Sequence, residues 1–132
     1  MKPLFLALLI LCMGLLTGCA TLADTRDARG QGSSQTFAAT FDAVWKAVPE
    51  ALSSLGLSVA TESKGDGYVL AERGATLFSW GEKVAVFVAK ANVTETKVEV
   101  VSKRALATNI IAPNWESEVL ERVAQLLAKN KQ

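Results

Sequence analysis

The thiol of Cys19 is the one side chain here whose surroundings suggest a covalent reaction. It follows two small residues, Thr17 and Gly18, at the end of a charge-free apolar run from Leu4 to Leu16. Small residues let a backbone enter a protease cleft in extended form. Cys12, the only other cysteine, lies inside the apolar run. The remaining chemistry is sparse. Histidine is absent, so Ser–His and Cys–His nucleophile pairs cannot form and zinc loses its usual ligands. Gly65, Gly67, Gly74 and Gly81 are spread through turns rather than gathered into a phosphate-cradling loop. Asp66, between two glycines, lacks the further oxygen ligands that a calcium loop sets at fixed spacing and reads as a hairpin turn. Glu62, Asp66, Glu72 and Glu82 are the only carboxylates suited to an acid–base pair. At strand edges they are expected to be solvated, with Lys64 as a surface charge partner. No catalytic residue, no cofactor and no metal is expected.

Lys2 followed by the run Leu4 to Leu16 has the form of a secretory signal. A bilayer span takes about 20 apolar residues, so this run is too short to be a transmembrane anchor. Leu16-Thr17-Gly18-Cys19 resembles the lipobox of bacterial lipoproteins. The resemblance implies cleavage before Cys19, a diacylglycerol on its thiol and usually an acyl chain on its amine. At about 0.8 kcal/mol per buried methylene, one chain binds reversibly while two or three hold a protein on the membrane. Ala20 stands where enterobacterial lipoproteins kept in the inner membrane carry aspartate. By the same resemblance this implies the inner leaflet of the outer membrane, facing the periplasm.

The expected organisation is a signal peptide over 1–18, a lipidated cysteine and flexible tether over 19–36, and a single periplasmic domain over 37–132. Ala20 to Gln35 is small and polar, and as coil it would span about 22 Å, leaving the domain close above the membrane and free to reorient. Charge is nearly balanced, with Lys+Arg 14 against Asp+Glu 13, and Lys2 is the only charge before the cysteine. No basic stripe appears, so nucleic acid is not an expected partner. A domain without a cysteine pair must be held by its apolar core.

The elements that would carry any site follow from periodicity. Thr36 to Ala39 is a short extended lead-in. Thr40 is a good N-cap, and Phe41, Val44, Trp45, Val48, Leu52 and Leu55 form one helical stripe. Pro49 within it predicts a kink, and Gly56 suits the C′ position. Leu57–Glu62, Tyr68–Arg73, Lys83–Lys90 and Thr96–Lys103 read as strands joined by turns. Leu106 to Ala112 either extends the last strand or crosses the sheet. Asn114 then N-caps a second helix with Trp115, Val119, Val123, Leu126 and Leu127 buried and Glu116, Glu118, Glu121 and Arg122 in water. Trp45 and Trp115 are expected in the core. The expected fold is α+β: two layers, a four-stranded antiparallel sheet with two helices on one face, in the order α-β-β-β-β-α. Alternation sends Val84, Val86 and Val88 towards the helices and Phe87 to the opposite face, beside Ala85, Ala89 and Val101.

Phe41-Asp42-Ala43-Val44-Trp45, the Leu55-Gly56-Leu57 exit and the strand Thr96-Lys97-Val98-Glu99-Val100 resemble small bacterial lipoproteins of a domain-of-unknown-function type. Ser79-Trp80-Gly81-Glu82 and Thr108-Asn109-Ile110 to Trp115 are similar to other uncharacterised bacterial domains of the same layout. That layout is similar to the helix-grip modules of the lipoprotein C subunit of the β-barrel assembly machine. The resemblance implies a fold and a compartment without an activity. The candidate partner-binding residues are therefore the exposed aromatics: Phe78 and Trp80 on the Gly74–Glu82 loop, and Phe87 if its face is open. Trp80 could instead fold back and cap the core. The expected role is a non-catalytic envelope lipoprotein that binds or supports a protein partner. The alternative is a carrier of a small apolar ligand or lipid between sheet and helices, and an enzyme is the remaining class.

Overall fold

The structure, a computed structural model, describes Pro3 and residues 21–74, 81–104 and 114–131. In chain order the elements are α1 (Leu22–Asp27), β1 (Ser33–Phe37), α2 (Phe41–Ser54), β2 (Ser58–Ser63), β3 (Tyr68–Arg73), β4 (Glu82–Lys90), β5 (Thr96–Arg104) and α3 (Trp115–Asn130). The α+β class is as expected. The count differs: among the described residues the sheet has five antiparallel strands in the order β1-β5-β4-β3-β2, and three helices are given from Leu22 onward.

The four expected strands form a meander, β2 to β5, in which each strand pairs with the next. The fifth strand comes from the segment expected to be a tether and lead-in. β1 adds to the free side of β5, Ser33 opposite Val100 and Phe37 opposite Thr96. Since β1 and β2 occupy opposite edges and run parallel, α2 must cross the sheet between them. Thr40 caps α2 as its residue type predicts, accepting from the Ala43 N–H at 3.3 Å. The helix runs through Pro49 as one element. It ends where Gly56 adopts φ +82°, a backbone region that costs an L side chain energy. The Leu57 N–H then returns to the Leu52 carbonyl at 3.0 Å.

Alternation along β4 is realised as read. Val84, Val86 and Val88 pack with Val44, Val48, Leu52, Val119 and Val123 in one core beneath α2 and α3. Trp115 is buried and Trp45 half-buried against that core. Glu116, expected to face water, instead joins three elements. Its carboxylate accepts from the Ser33 N–H at 3.1 Å, the Ser33 hydroxyl at 2.7 Å and the Ser102 N–H at 3.3 Å.

The two expected helices share one face, and the opposite sheet face is covered as well, by α1, a third helix outside the expected layout. Ala28 packs with Leu70, Ala85, Phe87 and Val101, and Leu22 and Tyr68 close the margin. A capping box starts α1. The Asp24 N–H donates to the Thr21 hydroxyl at 3.1 Å, and the Thr21 N–H donates back to the Asp24 carboxylate at 2.7 Å. The chain leaving α1 passes tightly over β5. A Cβ on Gly32 would collide with the Val100 carbonyl and with Cγ2 of Val101, the latter at 2.8 Å.

Gly32→Ala is therefore expected to lift the start of β1 off β5 and lower stability by about 2–3 kcal/mol, in the upper part of the range for point substitutions. A Cβ on Gly65 meets nothing within 4 Å, so Gly65→Ala should stay within about 0.5 kcal/mol of the parent. Urea melts of the three proteins check both.

Candidate functional site

One end of the sheet carries an open groove. The β4–β5 connection is a tight turn because the Asn92 side-chain oxygen accepts the Thr94 N–H at 3.0 Å and the Glu95 N–H at 2.8 Å. That folding of the turn on itself leaves Val93 at its tip, 91% exposed. Beside it begins α2, where Phe41 stacks on Trp45 with ring centroids 5.8 Å apart and planes 10° from parallel. The Lys90 ammonium stands 6.0 Å from the Phe41 ring centroid, and Asp42 pairs with Lys64 at 3.0 Å. Between turn and helix lies a groove of about 400 Å³ lined by Thr40, Phe41, Asp42, Lys90, Asn92 and Val93 among others. An aromatic floor, an exposed valine and charges of both signs at the rim suit the docking of an apolar side chain on a polar strand or helix.

The second face is different in kind. Phe87 points away from α2 and α3 as alternation predicts, yet it is only 4% exposed. The expected exposed docking patch is not there, because α1 lies over it. The Arg29 guanidinium sits 4.8 Å above the Phe87 ring, and the Gly30 N–H donates to Glu99 at 2.7 Å. A smaller hollow of about 190 Å³ remains among Arg29, Gly30, Phe87, Ala89, Lys97 and Glu99. Arg26 bonds to Tyr68 and to Asp27, which stabilises its charged form further.

The end of the sheet away from the groove encloses an acidic side chain. Glu82, expected to be a solvated edge carboxylate, is 1% exposed. It opens β4 with Arg73 of β3 and Arg104 of β5 as its register partners on either side. The Arg73 guanidinium lies 5.8 Å from the Trp115 ring centroid. The other hairpin carboxylates differ. Glu62 and Asp66 are exposed, Asp66 accepting from the Ser63 hydroxyl at 3.0 Å, and Glu72 pairs with Lys83. Among the described residues no three His, Cys, Asp or Glu side chains gather as a metal site would require. Cys19, Phe78 and Trp80 lie outside the described residues, as does the Leu106 to Ala112 segment.

Of the sequence-predicted site residues only Phe87 is among those described, and it lies away from the groove, which draws on residues of a helix stripe, a strand end and a turn. The signal for it in the sequence is slight: Val93 is apolar in a turn otherwise built from Asn92, Thr94 and Glu95. Comparison with known proteins finds no family that matches the chain and no curated protein that matches it.

Two outcomes follow from this geometry. Phe87→Ala is expected to cost about 3–5 kcal/mol in urea melts, as a buried phenylalanine does, where an exposed one would cost a few tenths. The Asp24 carboxyl is held below its ordinary value of 3.8, chiefly by the Thr21 hydroxyl, then by the Thr21 N–H, with Lys103 adding to the effect. Its folded pKa is depressed, so its support of α1 is complete above the ordinary carboxylate range and is lost as pH falls through the folded value. Carboxyl carbon shifts followed by NMR should give a midpoint below 3.8, and Thr21→Ala should raise it.

Proposed function

We propose that this chain is the precursor of a bacterial envelope lipoprotein whose domain binds or supports a protein partner and catalyses no reaction. Leu16-Thr17-Gly18-Cys19, placed directly after the apolar run Leu4 to Leu16, carries the reading. Cleavage before Cys19 removes the leader, acyl chains on Cys19 hold the protein to a membrane, and Ala20 favours the inner leaflet of the outer membrane, facing the periplasm. The partner-binding part of the reading is supported by the groove between Phe41 and Val93, which replaces Phe87 as the exposed apolar feature. The carrier alternative finds less support. Val84, Val86 and Val88 are at most 2% exposed and belong to the continuous core under α2 and α3, where a ligand would have needed room.

The anchoring is tested directly. Labelled palmitate fed to cells should mark the parent protein and leave Cys19→Ala unmarked, with the variant retaining its leader. Equal labelling of both proteins would remove the basis of the proposal.

A further inference from the structure

The strands at the two edges of the sheet, β1 and β2, are built differently. A bulge between Val59 and Thr61 interrupts β2, and Glu62 and the neighbouring Lys64 bring charge to it. Bulges and charged side chains are what keep an edge from pairing with another chain. β1 has neither. Its residues Ser33-Ser34-Gln35-Thr36-Phe37 keep an unbroken register with β5 and include no charge and no proline. Ser34, Gln35 and Thr36 are all exposed.

Alternation settles which backbone groups of β1 face outward. The Ala91 N–H donates to the Glu95 carbonyl at 3.0 Å, so these two residues face each other across the β4–β5 hairpin. In an antiparallel ladder the backbone groups reverse direction at each residue. Thr96, Val98 and Val100 therefore turn away from β4 and towards their β1 partners Phe37, Gln35 and Ser33. The N–H groups of Ser33 and Ser102 agree, since both reach the Glu116 carboxylate. Ser34 and Thr36 are left with their N–H and C=O groups directed away from the sheet. Among the described residues these groups meet no hydrogen-bond partner.

We propose that β1 pairs with β1 of a second copy of this chain, antiparallel about a two-fold axis at Gln35, joining two sheets into one. In that register Ser34 of each protomer lies opposite Thr36 of the other, and the two exchange both backbone hydrogen bonds. Every outward donor and acceptor of the two strands is then satisfied by the symmetry, as a self-complementary interface requires. Serine meets threonine on one face, a pair that bonds across strands, and Gln35 meets its own copy on the other. A charged partner strand would find no counter-charge on β1, whereas a second copy brings none. The pairing uses neither the Phe41–Val93 groove nor Cys19, so it stands apart from the function proposed above.

The register makes a sharp test. Gln35 and its copy form a non-hydrogen-bonded pair, with Cα atoms about 4.5 Å apart, inside the range of roughly 4.4–6.8 Å that a disulfide spans. Ser34 and its copy are offset by about 7 Å along the strands besides the gap between them, too far to bridge. Gln35→Cys, Ser34→Cys and Thr61→Cys, the last on the β2 edge, are made in the full chain and oxidised with copper phenanthroline. The parent supplies the background from Cys12 and Cys19. On non-reducing gels Gln35→Cys should give several-fold more disulfide dimer than the parent or either other variant. Adding Thr36→Pro to Gln35→Cys should abolish that dimer. Proline there removes an outward N–H and leaves the ladder to β5 intact, as at a solvent-facing edge, so the urea melt should match the parent's. Dimer from Gln35→Cys no stronger than from the parent, from Ser34→Cys or from Thr61→Cys overturns the proposal, whatever the melt of the proline variant. So does a Gln35→Cys dimer that persists with Thr36→Pro.

Discussion

Strand β4 carries Val84, Val86 and Val88 on one side and Ala85 and Phe87 on the other, and none of the five is more than 4% exposed. A strand that is apolar on both sides must be covered twice. Two amphipathic helices answer the valine side with a broad layer of branched side chains. The other side is smaller, and a single turn-and-a-half of helix suffices to close it, provided the chain comes close enough. Gly32 makes that approach feasible, because a hydrogen is all that fits against the Val100 carbonyl. The central strand thus dictates the position of the N-terminal segment as firmly as that of the two long helices.

The two ends of the sheet are then left with contrasting chemistry. At one, Glu82 is buried between β3 and β5 while Glu116 stitches β1, β5 and α3 together. Such an arrangement penalises any shift of register, since moving one strand would strand a buried carboxylate. At the other, a turn that is satisfied by its own Asn92 needs nothing from the core. It can therefore present an apolar residue to solvent without weakening the fold. The register-fixing contacts and the exposed groove are separated along the strand axis.

Much of this was legible from residue order. The stripe Phe41 to Leu55 and the stripe Trp115 to Leu127 give two helices by period, and alternation in β4 and β5 gives both faces correctly. What escaped was whatever depends on a distant segment. β1 is Ser-Ser-Gln-Thr-Phe, four exposed residues and one buried, and an edge strand of that composition has no apolar alternation to reveal it. α1 spans only six residues, too few for a helical period to register. Phe87 was aimed rightly, yet exposure is a property of the covering segment and not of the strand. The burial of Glu82 has a related cause: it depends on strands on both sides, and β5 lies far away in sequence. The groove joins the start of α2 to the β4–β5 turn, a meeting that local pattern does not encode.

Pairing of β1 with β5 also sets an order of events. β2, β3, β4 and β5 follow one another, so each hairpin can close over a short stretch of chain. β1 pairs across a far longer interval, Ser33 opposite Val100, and contacts of that separation form slowly. Until they do, β5 has an open row of backbone donors and acceptors, the kind of edge that recruits other chains. A polypeptide emerging N-terminus first presents β1 at once and its mate almost last. The rate at which the sheet is completed is thus set by how quickly the beginning of the chain returns to meet the strand made near its end.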